Sequence, residues 1–71
     1  MNISDLSQYI VAIIAEFAKR YKLTDQQAAR YLNRYHALEM CQKHYGFMHT
    51  QSFESNINDL SIYCKRMGGQ L

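Results

Sequence analysis

His36, Cys41, His44 and His49 are the residues whose types could hold a metal, because imidazole and thiolate are the ligands that zinc prefers. Their spacing argues against it. Cys41 and His44 would share one helical face, but three of the four would lie along one helix and its end, where they cannot surround a tetrahedral ion without large distortion. The expectation is buried cysteine and surface histidine, with no metal and no cofactor. A Cys–His nucleophile would need a stabilised thiolate, a base and an oxyanion site, usually in a concave pocket. Four short helices offer little room for one. The chain also lacks a glycine-rich phosphate loop, a Gly-x-Ser-x-Gly elbow and a His-Glu-x-x-His pair. No catalytic residue is expected, and the chain is not read as an enzyme.

Nucleic-acid chemistry has its own candidates. LTDQQAARYLNRY, residues 23–35, resembles the opening helix and turn of a helix-turn-helix module, with Asn33 in the turn position that glycine often holds. Arg30 and Arg34 form a like-charged i, i+4 pair that favours an anionic neighbour. The helix after the turn would present Glu39, Gln42, Lys43 and His44, a mixed set with little phosphate-seeking charge. Arg30, Arg34, Gln42 and Lys43 are therefore the contacts of an alternative reading, a DNA-binding regulator. The favoured reading of the same stretch is an amphipathic helical hairpin within a bundle.

HYGFMHTQ, residues 44–51, places Phe47 and Met48 in a connection that would normally be polar. Either Phe47 or Met48 folds back as a plug with Thr50 capping the next helix, or the segment is a partner-binding knuckle, since aromatics and Met are enriched in interface cores. Tyr45, Phe47, Met48, His49 and Thr50 are the partner-binding candidates.

These residues need helices to position them. Leu6, Ile10, Ile13, Ile14, Phe17 and Tyr21 recur at helical spacing behind a Ser4 cap, with Val11 and Ala18 widening the apolar surface. Such a first helix should be central. Thr24 to Gln27 form a capping box that starts a second helix at Asp25. Its pattern continues through Cys41 and Tyr45 with a break or kink near Asn33 to His36, and Gly46 provides a stop. Thr50 or Ser52 caps a last helix with Phe53, Ile57, Leu60, Cys64 and Met67 on one face, closed by Gly68 and Gly69. The spacing predicts an all-α bundle of about four short helices, at about 4–21, 25–34, 36–45 and 52–67, with no sheet.

No proline, repeat or linker interrupts the 71 residues, so a single domain, 1–71, is expected. Apolar residues make up 48% of the chain and charged residues 20%, a globular composition. The formal charge of +2 is too weak to imply nucleic acid by itself. The longest strongly apolar run, Ile10 to Ala15, is far short of the roughly 20 residues that span a bilayer. Two cysteines without Cys-x-x-Cys spacing, and no secretory signal, predict reduced thiols in the cytoplasm. A chain this short has a thin core, which favours help from a partner or from self-association.

EFAKRYKLT (16–24), HYGFMHTQ (44–51) and INDLSIYCKR (57–66) together resemble a family of short bacterial proteins of unassigned function. The likeness covers nearly the whole chain, and Tyr45, His49 and Thr50 match its distinctive segment. The resemblance implies a small partner encoded beside a larger protein similar to ADP-ribosyltransferases, in a toxin–antitoxin arrangement. The expected function is an antitoxin-like, non-catalytic module that binds and neutralises such a toxin. The alternatives are the DNA-binding regulator above and a self-assembling helical protein.

Overall fold

A computed structural model describes residues 3–71, and among them every regular element is helical. The first helix, α1 (Ile3–Tyr21), packs against the second, third and last helices, so it is the central element its broad apolar surface predicts. Ser4, expected to cap α1, lies inside it, and the cap position falls outside the described residues. A serine is tolerated there because first-turn amides have no intrahelical acceptor to lose.

The buried row of α1 is Tyr9, Ile13 and Phe17, with Ala18 beside it, while Ile10, Ile14 and Tyr21 are half-buried. Tyr9 was absent from the expected stripe, and Val11, expected to widen it, is exposed. Apolar residues cover so much of α1 that periodicity alone does not choose its inner face; the neighbouring helices do.

Lys22, at φ 56°, turns the chain out of α1, and the Leu23 amide donates to the Ala18 carbonyl at 2.8 Å. Thr24 then caps α2 (Asp25–Arg34) with the expected reciprocal box. The Gln27 amide donates to Thr24 Oγ1 at 3.1 Å, and the Thr24 amide donates to Gln27 Oε1 at 2.9 Å. The expected break falls at Tyr35–His36, where His36 is left-handed at φ 63°. Asn33 stays within α2 and does not occupy the turn.

The third helix was expected to run over 36–45 and stop at Gly46. Instead α3 spans Ala37–Lys43 and a one-turn helix, α4 (Tyr45–Met48), follows with Gly46 inside it. His44 is the pivot: its amide donates to the Met40 carbonyl, and its carbonyl accepts from the Phe47 and Met48 amides. The change of axis there turns the Met48 side chain into the core, where it is 6% exposed. Residues 45–48 of the expected connection are therefore helical.

Ser52, not Thr50, caps α5 (Phe53–Arg66), its Oγ accepting from the Ser55 amide at 3.1 Å. The inner face of α5 carries Asn56, Ile57, Leu60, Ser61 and Cys64. Phe53 and Met67, expected on that face, are 41% and 54% exposed because they lie at the two ends of α5, where fewer neighbours reach. Cys41 and Cys64 are both buried free thiols, and the core centres on them with Ile13, Phe17, Leu32 and Leu60. Beyond α5, Gly68 takes φ 109° and the Gly69 amide donates to the Cys64 carbonyl at 2.9 Å, the left-handed cap the two glycines predict.

Candidate functional site

α4 lies between α3 and α5 in the chain. Phe47, on its outer side, is 65% exposed, while its neighbour Met48 is buried. Met48 thus folds inward as a plug while Phe47 faces out, because consecutive helical positions point about 100° apart. Beside Phe47 runs an open groove of about 510 Å³ between α3, α4 and α5, with walls of Met40, Met48, Ile62 and Tyr63. Ile62 is itself 52% exposed. His44, Gln51, Asp59 and Arg66 line the same groove, so apolar side chains and charges of both signs meet in it.

The remaining residues of the segment pack around α4. Tyr45 is half-buried, edge-on to the Tyr9 ring at 5.2 Å. His49 stacks on Tyr45 at 4.8 Å, and its Nδ1 lies 2.8 Å from the Tyr45 carbonyl. The Thr50 hydroxyl donates to the Phe47 carbonyl at 2.7 Å. The His49 and Thr50 side chains thus add a second donor to carbonyls that already accept their own backbone amides. Tyr45, His49 and Thr50 shape the surface, and Phe47 is its apolar tip.

Asn56, which sequence reading tied to no role, is fully buried beneath α4. Its Nδ2 donates to the Met48 carbonyl at 2.9 Å and to the Tyr9 hydroxyl at 2.7 Å. Its position four residues before Leu60 and eight before Cys64, on an otherwise apolar helical row, was a legible signal of a buried polar group. Burial pushes the Tyr9 phenol up to about 12, and the Asn56 hydrogen bond opposes that rise. Met40, Ile62 and Tyr63 were missed too, since no spacing rule pairs α3 with α5.

The candidates for other chemistry do not gather. His36, His44 and His49 are exposed while Cys41 is fully buried, and no group of three or more His, Cys, Asp or Glu side chains is placed to hold an ion among the described residues. Burial pushes the Cys41 and Cys64 thiols up to about 11, the direction opposite to that of a thiolate nucleophile. Arg30, Arg34, Gln42 and Lys43 are all exposed. Gln42 and Lys43 close a seven-residue α3, whereas recognition helices read bases from their N-terminal residues. Among the described residues no helix is long and apolar enough to cross a membrane.

The family model of DUF3791, described as a protein of unknown function, matches residues 8–66. The chain belongs to the DUF3791 family. No curated protein and no solved structure matches it. The DUF3791 match begins in the first half of α1 and ends with the last residue of α5, so it takes in α4, its groove and Asn56.

Proposed function

We propose that this DUF3791 chain is a non-catalytic protein-binding module, an antitoxin-like partner that binds and neutralises an ADP-ribosyltransferase-like toxin encoded by a neighbouring gene. The observation that carries the binding role is Phe47, 65% exposed at the tip of a one-turn helix beside a groove walled by Met40, Ile62 and Tyr63. A large aromatic ring held in water, next to a groove lined by both apolar and charged side chains, has the make-up of an interface. The toxin as partner rests on the resemblance carried by residues 16–24, 44–51 and 57–66.

Co-expression with the neighbouring gene product, followed by size-exclusion chromatography, tests the pairing. One shared peak is expected, and two separate peaks at micromolar concentration would count decisively against it. Phe47→Ala should then weaken the complex by about tenfold or more, as removal of a central interface aromatic does. Its melting temperature should stay close to that of the parent chain, because exposed substitutions change stability by only about 0.5 kcal/mol. Equal binding by Phe47→Ala would remove α4 from the interface.

A further inference from the structure

A four-residue helix does not hold its own shape in water, so the position of α4 must come from contacts outside it. Of its three side chains only Met48 is fully buried, with Tyr45 half-buried against the Tyr9 ring. The second anchor is Asn56, which reaches from α5 to the Met48 carbonyl on α4 and the Tyr9 hydroxyl on α1. The Met48 carbonyl can only accept, so the amide nitrogen of Asn56 must face it. Asn56 Oδ1 is left buried without a hydrogen-bond partner among the described residues.

That orphan acceptor bears on why asparagine is there. Leaving a buried acceptor unsatisfied costs more than a typical neutral hydrogen bond contributes, and an apolar side chain of similar volume would avoid the cost. Stability alone does not explain Asn56; direction does. One nitrogen with two hydrogens binds two elements at once. Serine or threonine would offer one hydrogen, an ionised aspartate none, and glutamine would set its amide one methylene further out.

We infer that Asn56 is the positioning residue of the binding surface, fixing α4 against α1 and α5 and so holding Phe47 outward beside the groove. Its importance for binding rests on the function proposed above, whereas the fixing of α4 needs no partner and is tested without one.

The test is amide hydrogen exchange, followed by NMR, on the isolated chain and on Asn56→Leu. The reporters are the amides of Met48, His49, Thr50 and Gln51, which donate to the carbonyls of His44, Tyr45, Phe47 and Met48. In Asn56→Leu these four should exchange about tenfold faster or more, relative to the core amides of α1 and α5, with little change in melting temperature. Unchanged protection in α4, or an equal loss in every helix, overturns the inference, because either outcome makes Asn56 a core filler. If Asn56→Leu does not fold, Tyr9→Phe removes one of the two acceptors and should loosen the same four amides selectively; a uniform change or none again overturns it. Partner capture keeps the two ideas apart. A loosened α4 that still binds the toxin with full affinity would leave Asn56 as positioning residue and sink the role of α4 in binding.

Discussion

Cys41 and Cys64 show how burial sets the chemistry of single residues. Both thiols are wholly enclosed, and desolvation of the thiolate raises each from 9.0 to about 11, with Cys64 adding to the rise at Cys41. Because the folded state holds these protons more tightly than the unfolded chain, their contribution to stability is fully present below pH 9.0 and lost as pH rises through about 11. The Tyr9 phenol, raised from 10.0 to about 12, acts in the same direction one unit higher. The urea midpoint should therefore decrease as the pH is raised from about 8.5 to about 11. Replacing both cysteines by alanine should flatten that fall, and an unchanged slope would show that the thiols do not titrate on unfolding.

Element ends are where local chemistry is most visible. The Thr24 box, the Ser52 cap and the left-handed Gly68 each satisfy backbone groups that a helix cannot satisfy internally. Gly69 serves a different need, because the tail folds back over α2. Its amide bonds the Cys64 carbonyl, and two residues on the Leu71 amide donates to the Tyr31 hydroxyl at 3.2 Å. A Cβ at position 69 would lie 2.9 Å from both the Cys64 carbonyl oxygen and Tyr31 Cζ, and closer still to the Tyr31 hydroxyl. Gly69→Ala should push Tyr31 off its stack with Phe17 and destabilise the chain by about 1 to 3 kcal/mol, the usual range for overpacking. Thermal unfolding checks this, and an unaltered melting temperature would mean that the tail is not docked on Tyr31.

At the scale of the whole molecule, α1 is the hub on which α2, α3 and α5 pack, and Ile13 at its centre is 0% exposed. Ile13→Ala should cost about 2 to 5 kcal/mol. A domain of 71 residues has little stability beyond that, so loss of cooperative unfolding by circular dichroism is expected. The same thin core explains why so much of α4 lies outside it. With dimensions of 32 × 22 × 20 Å, the bundle has no further layer to cover Phe47, Ile62 and Met67. Those side chains remain at the surface, and Phe47 and Ile62 flank the candidate binding groove.

Residue type and spacing alone determined the all-α class, the start of α2 and the glycine cap after α5, and narrowed the cap of α5 to Thr50 or Ser52 and a break or kink to Asn33–His36, because caps and periodicity act within a few residues of one another. The interest of residues 44–51 was legible too, as two apolar side chains in an expected connection. Only the tertiary structure decided which way each of them points. Met48 is drawn in by contacts with the core, and Phe47, about 100° round the same helical turn, is left outside it. The same is true of Tyr9 and Asn56, 47 positions apart in sequence, whose hydrogen bond exists only because α1 and α5 are brought together. Local rules set where helices begin and end; long-range burial set which of their faces became the core and which became the candidate site.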